Sequence, residues 1–517
     1  MPPRKKQKPI PEQRTFLFKN PSRAEINKFE EVIDALMHSE AIKKYPSLSE
    51  MTKAAFQDPR ERRQAILSRL DTNRGLFFKI NKRIGDKTRL SPMERIEEIL
   101  VMLWEYIRVG ETERKLYGEV MTPIDLVEEM LDGLPKEVWS NPKLKWLDPA
   151  NGCGVFPAVI LKRLMIGLAT WEPDEERRYK HIMEKMLHVC ELQPKNMFIY
   201  LCAFDPKDKY ALNIYTGSFL TEEFDQHSQE IWGVEQFDVI VGNPPYQTGK
   251  EDERKTQPIW QLFVKKKLKL IKKEGYLCTV HPAGWRNISG IFKETQKLLR
   301  DTKMLALKMN HFRRGQQLFG AAINFDFYCL QNVNNNGNLT KITCEDNTTE
   351  AVDISKMEFI PSENIKKIYA LLANPEEEKV QVIHSFSAYE TRKPYMSKNK
   401  EGDFSYPCIY TVKSPDKGNN QPTFFWSKTK ANGLFGIPKV IWAQGASGVV
   451  IDQTGQWGLT QFGYAIVDDV ANLENIKNAL LSDDFTKNVM NFKHSLGDKF
   501  NHKIIALFRK DFWKEFV

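Results

Sequence analysis

The sequence predicts an α/β protein, a doubly wound and mostly parallel sheet with a helical region before it and an α+β region after it. Three observations predict this. Short apolar, β-branched runs alternate with helical stretches from residue 111 to about 335. Several of these runs end in an acid, a glycine or a proline, as strands feeding ligand-binding loops do. After the Asn332–Asn338 break the rhythm changes to aromatic-rich, turn-rich segments. At 517 residues and 41% hydrophobic, the chain can build two or three cores. The boundaries expected are 1–110, 111–335 and 336–517.

The first region reads as helical. Ser22 and Glu25 have capping-box spacing, and Ile26, Phe29, Val32, Ile33 and Leu36 follow at helical spacing. Ser91-Pro92-x-Glu94 repeats the logic with proline at the first helical position, ahead of a stripe of Ile96, Ile99, Leu100, Leu103, Trp104 and Ile107. Between these helices lies a basic stretch, Arg60, Arg62, Arg63, Arg69, Arg74, Lys79, Lys82 and Arg83. It reads as a solvated face or, alternatively, a phosphate-contacting one.

In the second region the expected strands are 144–147, 188–190, 213–215, 239–241, 276–280 and 325–330, with a helix from about Phe156 to Ile166. In the third, helical stretches are expected at 362–372 and 473–480.

Composition excludes several classes. No apolar run approaches the ~20 residues of a membrane span. The N-terminus, Met1-Pro2-Pro3-Arg4-Lys5-Lys6-Gln7-Lys8, lacks the apolar core of a secretory signal. It reads as a solvated tail, and it also suits a nuclear address. Seven cysteines include no C-x-x-C pair, which points to a reducing, cytoplasmic compartment and to no metal site. A net charge of +9 is compatible with nucleic acid without requiring it.

Residues 237–246, Phe-Asp-Val-Ile-Val-Gly-Asn-Pro-Pro-Tyr, carry the most information. A buried strand stops at Gly242, and Pro244 and Pro245 then fix φ twice and remove two backbone donors. This rigid elbow presents the Asn243 amide, the Pro244 carbonyl and the Tyr246 ring. It suits a planar ring bearing an exocyclic amine, because two acceptors hold the amine's hydrogens while the aromatic stacks. The second key segment is Asp148-Pro149-Ala150-Asn151-Gly152-Cys153-Gly154. Glycines after a strand let a ligand approach the backbone, and Asp148 at the strand's end suits a cationic centre or an amine. Glu191 ends the next strand, where a carboxylate commonly grips ribose hydroxyls. Ser218 and Phe219 follow the third strand, Phe219 either against an adenine ring or in the core.

Together these segments resemble the S-adenosylmethionine-dependent N6-adenine DNA methyltransferases of the γ arrangement, over roughly residues 115–330. Asp148 to Gly154 is similar to that family's cofactor loop and Asn243-Pro244-Pro245-Tyr246 to its catalytic motif. Tyr117 to Pro123 resembles its upstream cofactor segment, with Thr122 and Pro123 opening a helix over the methionine part. Gln317-Leu318-Phe319-Gly320 is similar to the segment whose aromatic stacks on a flipped base. Ser218 stands where many relatives carry the acid that binds the cofactor's adenine amine.

The resemblance implies a Rossmann-like methyltransferase core and a C-terminal target-recognition domain. It implies S-adenosyl-L-methionine bound by Thr122, Pro123, Asp148, Pro149, Ala150, Gly152, Gly154, Glu191, Ser218, Phe219 and Asn243. Catalysis falls to Asn243, Pro244, Pro245 and Tyr246, and base stacking to Tyr246 and Phe319. The implied partner is double-stranded DNA, with no metal and no membrane, and a monomer is expected. The alternatives are a protein glutamine N-methyltransferase, which uses the same tetrapeptide, and an RNA adenine N6-methyltransferase. Aromatics interleaved with cations (Tyr389, Arg392, Lys393, Tyr395 and Lys398; Lys439, Trp442 and Gln444) are candidate DNA contacts, each with a core or solvated role as its alternative.

Overall fold

The computed structural model describes residues 90–106, 121–205, 209–247, 258–288, 290–385, 387–414, 420–431, 434–445, 448–489 and 501–517. The helix expected from Ser22, the basic Arg60–Arg83 stretch and the Tyr117–Val120 segment lie outside them. The chain divides into two compact units, residues 1–259 with 270–272, and residues 260–269 with 273–517.

The first unit opens on α1, Pro92–Tyr106. Its capping box is reciprocal: Ser91 N–H donates to Glu94 Oε2 at 2.8 Å, and Glu94 N–H donates to Ser91 Oγ at 3.3 Å. Ile96, Ile99, Leu100 and Leu103 are buried along one stripe. There follow α2 (Ile124–Leu131), β1 (Trp146–Asp148), α3 (Val155–Gly167), α4 (Glu175–His181), β2 (Leu187–Glu191), α5 (Pro194–Phe204), β3 (Asn213–Thr216), α6 (Glu222–Glu230) and β4 (Phe237–Gly242).

Its strands lie in the order β3-β2-β1-β4 with every pairing parallel. This is the doubly wound order, reached because each strand returns through a helix. β1 and β2 are buried at every residue, as strands covered on both faces must be. The register sets Asp148 opposite Val189 and Glu191 opposite Thr216, so the carboxyl ends of these strands form one edge.

The second unit begins with α7, Trp260–Leu270. It carries β5 (Ile271–Pro282), α8 (Lys293–Asp301), β6 (Thr302–Asn310), α9 (Phe312–Phe319), β7 (Phe325–Asn334), β8 (Thr340–Thr343) and β9 (Thr349–Val352). These strands run β5-β7-β6-β8-β9. β7 is antiparallel to β5 and β6, β6 is parallel to β8, and β9 is antiparallel to β8. Within this unit β7 and β9 therefore run opposite to β5, β6 and β8.

All six expected strands form, β4, β5 and β7 longer than expected, and β6 is a further strand. Its sequence, Thr-Lys-Met-Leu-Ala-Leu-Lys-Met-Asn, is rich in good helix formers. Pairing with β7 and β8 overrides that preference. Of the Asn332–Asn338 break, residues 332–334 end β7 and a tight turn follows with Asn336 and Gly337 at positive φ, and β8 and β9 continue the same sheet beyond it.

Two four-stranded sheets follow. One has the order β10-β17-β14-β15, from Gln381–His384, Gly463–Val467, Lys439–Ala443 and Val449–Asp452. The other has the order β11-β13-β12-β16, from Met396–Ser397, Gln421–Ser427, Tyr406–Lys413 and Gly458–Leu459. Helices α10 (Ile365–Ala370) and α11 (Leu473–Leu481) fall within the stretches expected to be helical, give or take a residue. Val440, Ile466, Ile476, Leu480, Phe485 and Phe508 share one core.

Three of the candidate DNA contacts take the core role that was their alternative. Tyr389 is buried and donates to backbone carbonyls at 429 and 431. Trp442 packs on Tyr464, and Lys439 forms a buried ion pair with Asp452 at 2.8 Å. Every residue of β14 is buried, so both of its faces are covered.

Two buried histidines are held neutral. His188, in β2, accepts no charge because burial pushes its pKa down to about 3, and the carbonyls of Trp146 and Met186 only partly oppose this. His281, in β5, is likewise lowered to about 3 by burial, stacked on Trp260 at 3.9 Å and bonded to the Tyr328 hydroxyl. In the unfolded chain both titrate near ~6.5. Their stabilisation is therefore complete above that pH and is lost as pH falls toward 3. Moving from pH 7 to pH 5 should cost about 2 kcal/mol for each histidine, read from urea unfolding. In a His188→Gln variant about half of that pH dependence should disappear.

Candidate active site

The site grows from the shared edge of the four parallel strands in the first unit. Asp148 ends β1 with only 2% exposure, and its Oδ1 accepts the Ala150 N–H at 3.2 Å. Gly242 ends β4 directly beside it. A Cβ added there would lie 2.6 Å from Asp148 Oδ1, and φ is +135°, so only glycine permits this approach.

Glu191 ends β2 and ties the glycine loop in place. Its Oε2 accepts the Gly152 N–H at 2.7 Å, and its Oε1 accepts the Gln193 N–H at 2.8 Å. The loop is also pinned by the Asn151 N–H, which donates to the Cys190 carbonyl at 2.9 Å. Gly152 has φ +55°, and a Cβ added there would meet nothing within 4 Å, so a ligand can approach the backbone. Gly154 caps α3 at φ +102°, where a Cβ would lie 2.7 Å from the Phe204 ring and 2.8 Å from Tyr200. The glycines thus differ in role: Gly152 faces open space and Gly154 closes on the stacked Tyr200–Phe204 pair.

Asn243 leaves β4 with its amide oriented by Thr122. Asn243 Nδ2 donates to the buried Thr122 Oγ1 at 3.1 Å, while Asn243 Oδ1 is enclosed and accepts no hydrogen bond. Thr122 is placed by Pro123, whose extended backbone starts α2 and whose carbonyl accepts the Val127 N–H at 3.1 Å. Arg163 of α3 holds α2 through Glu128 and Asp132. The Tyr246 phenol sits beside the Asn243 amide. Burial pushes its pKa well up, and the amide opposes the shift only in part, so it is a neutral ring at physiological pH.

The structure therefore brings together Thr122, Asp148, Gly152, Glu191, Gly242, Asn243 and Tyr246. Pro149 and Ala150 lie in the loop between Asp148 and Gly152, and Pro244 is buried after Asn243 while Pro245 is partly so. Ser218 is partly exposed after β3, and its Oγ accepts the Leu220 N–H at 3.3 Å. Phe219 is core, packed edge-on against Phe224 at 5.0 Å. Phe319 belongs to the second unit, where it ends α9 and packs on Phe325 at 4.9 Å with 4% of its surface exposed.

Asn196 is not among the residues the sequence points to. It donates to Glu191 Oε1 at 3.4 Å and accepts from Cys153 Sγ at 3.5 Å, bridging the carboxylate and the loop. Its one signal is its place in the first turn of the helix after Glu191. Among the described residues no cluster of histidine, cysteine or carboxylate side chains could hold a metal ion.

Residues 175–319 match the family model of the Eco57I restriction-modification methylase. An adenine-specific methylase of Mycoplasma pneumoniae, itself uncharacterised, is 30% identical over 36% of this chain and 60% of its own. The chain thus spans about three-fifths of that relative's length. Among solved structures, the type IIL restriction-modification enzyme MmeI in complex with DNA is similar at a TM-score of 0.45 and 10% identity, over 94% of this chain and 86% of that one. The type I EcoKI M protein gives a TM-score of 0.33 at 10% identity, over 60% and 71%. The fold rests on the chain's own strand order and register.

The two glycines give a test of the loop. Gly154→Ala should lower the thermal unfolding midpoint more than Gly152→Ala. The first adds a clash with buried rings, costing about 2–3 kcal/mol, whereas the second costs only the ~1 kcal/mol of a left-handed alanine. Equal midpoints for the two variants would contradict the packing described.

Proposed function

We propose that the chain is an S-adenosylmethionine-dependent methyltransferase acting on N6 of adenine in double-stranded DNA, in a restriction-modification setting. One observation carries this reading. An asparagine amide, oriented by Thr122, keeps an unbonded acceptor oxygen at the same strand edge as Asp148 and Glu191. The match of residues 175–319 to a restriction-modification methylase family supports it.

The residues fit the cofactor. The Glu191 carboxylate at the end of β2 suits ribose hydroxyls, and the open space at Gly152 admits a ligand to the backbone. Asp148, buried at the end of β1, supplies negative charge toward a cationic ligand. When bound, S-adenosylmethionine supplies an electrophilic methyl on a sulfonium. Thr122 and Pro123 border the methionine part, Pro149 and Ala150 shape the loop, and Ser218 offers one acceptor where an acid is more usual.

The N6 lone pair of adenine is delocalised into the ring and is a poor nucleophile. Asn243 Oδ1 and the Pro244 carbonyl accept the two amine hydrogens, which draws the nitrogen toward tetrahedral geometry and frees the lone pair for in-line attack. Pro245 stiffens the elbow. Catalysis here is positioning and electrostatics. Extruding the base costs a few kcal/mol. Stacking on Tyr246 offsets about 1–3 kcal/mol of that. A stacking role for Phe319 is part of the same proposal.

Asp148→Ala and Glu191→Ala should each weaken S-adenosylmethionine binding in calorimetry. Asn243→Ala should leave that binding largely intact and reduce methyl transfer to duplex DNA by at least about 100-fold. Transfer of labelled methyl groups to protein glutamine or to RNA, with none to DNA, would establish one of the alternatives.

Residues 336–517 are proposed to recognise the DNA sequence. In the β11-β13-β12-β16 sheet Lys400 lies over Trp426 at 5.0 Å and Lys430 over Tyr406 at 5.2 Å, both lysines exposed. Lys400→Ala and Lys430→Ala should each weaken DNA binding across sequences and lower the salt slope of log K by about 1. Slopes identical to that of the unmodified protein would place the DNA elsewhere.

A further inference from the structure

Helix α9, Phe312–Phe319, buries one face and exposes the other. Gly315 and Phe319 are buried, and a Cβ added at Gly315 would lie 2.2 Å from the Ile323 carbonyl oxygen. Phe319 packs on Phe325. His311 caps the first turn, its Nδ1 accepting the Arg313 N–H at 3.4 Å, and Gly320 closes the last turn at φ +67°. The helix is thus fixed against the segment that leads into β7. On its other side Arg313, Gln316, Gln317 and Gly320 are exposed at the spacing i, i+3, i+4, i+7, so they share one face. Among the described residues the side chains of Arg313, Gln316 and Gln317 make no hydrogen bond or ion pair. Ala321 and Ala322, just beyond, are also exposed.

The charge on this face runs against the stability of the helix. Residues 302–325 contain Lys303, Lys308, Arg313 and Arg314 and no aspartate or glutamate. Both arginines stand in the first turn of α9, which holds no acid. The N-terminal turn of a helix carries partial positive charge, so cations there oppose the macrodipole. Arg314 is tied back to the Asn310 side chain. Arg313 stands in solvent with no anion to offset its position. The stripe therefore offers a guanidinium and two amide donors with no carboxylate among them, a set that suits a polyanion. β5 and β6 are both antiparallel to β7, so they run the same way. α9 follows β6 directly and stands at the carboxyl edge of both strands, the edge at which α/β sheets bind ligands.

We propose that the Arg313–Gln316–Gln317 face of α9 is a contact surface for the DNA backbone, Arg313 pairing with a phosphate and the glutamine amides donating to neighbouring phosphate oxygens. Residues 313 to 317 span ~6 Å of helix axis. Duplex DNA carries one negative charge per ~1.7 Å of its own axis, so the face meets more than one phosphate. Arginine and glutamine both make such contacts, which set register and orientation and carry no sequence information. Gly320, Ala321 and Ala322 raise no long side chain that would hold a duplex away. The inference rests on the reading above that duplex DNA is the substrate. It adds a contact independent of sequence to the recognition proposed for residues 336–517.

The test measures binding of the full chain to a fluorescent DNA duplex of random sequence over a series of salt concentrations. Arg313→Gln should lower the slope of log K against log salt by about 1, the loss of one phosphate contact. Gln316→Glu and Gln317→Glu together should weaken binding at least about 10-fold at ~0.1 M salt. Lys273→Gln removes a charge of the same sign near the start of β5, at the opposite edge, and should leave the slope unchanged. Arg313→Glu should bind still more weakly while its melting temperature is unchanged or raised, because an acid suits the first turn. An unchanged slope for Arg313→Gln, an equal drop for Lys273→Gln, or a melting temperature of Arg313→Glu lowered by several degrees would each overturn the proposal. A slope change on duplex RNA and none on duplex DNA would assign the face to RNA instead. Failure of the unmodified protein to bind duplex DNA at all would overturn the DNA reading, and this inference with it.

Discussion

The Glu191 carboxylate is the interaction on which the site depends. It ends β2, accepts the Gly152 and Gln193 amides, and receives Asn196 from the helix that follows. A glycine loop with φ of +55° and +102° has no conformational preference strong enough to hold it. Tying its amide to a buried anion supplies the missing constraint. The carboxylate is satisfied in turn, which is what permits a charge to be 6% exposed at the end of a strand. Stability and ligand approach therefore come from the same few hydrogen bonds.

The parallel strands supply the frame for that interaction. Because β3, β2, β1 and β4 all point one way, their last residues fall on one edge whatever their separation in sequence. Glu191 is 39 residues from Gly152, and Asn243 is 121 from Thr122, yet each pair is hydrogen-bonded. The approach of Gly242 to Asp148 shows how tightly the edge closes. An asparagine placed after such a strand has its orientation fixed by a neighbour, Thr122, rather than by its own rotamer preference. That preorganisation is what a reaction governed by positioning requires.

The second unit follows a different logic. Its buried charges are paired, Arg286 with Asp326 and Glu345, and Lys439 with Asp452. Buried pairs of this kind are weak contributors to net stability but are strongly destabilising when one partner is lost. Burial pushes the Asp326 pKa up to about 6 even with Arg286 beside it, so desolvation outweighs pairing there. In the sheets beyond residue 380 Trp442 and Tyr464 are buried, whereas Tyr406, Phe424, Phe425 and Trp426 are partly exposed, with lysines over Trp426 and Tyr406.

The sequence alone determined the alternation of strands and helices, the six strands it named, the capping box at Ser91, and the places of Asp148, Glu191 and Asn243 at or just after strand ends. These are local: apolar runs, glycines, prolines and acids announce themselves within ten residues. Tertiary structure decided what depends on distant partners. β6 is a strand because β7 and β8 flank it, against the helix preference of its residues. The turn at Asn336 stays within the sheet because β8 pairs with β6, and no local signal distinguishes such a turn from a linker. In the sequence Tyr389, Lys439 and Trp442 stand open between DNA contact and core, and the fold places them in the core, with every residue of β14 buried. Asn196 is an ordinary asparagine in the sequence. Only the folded chain shows it completing Glu191.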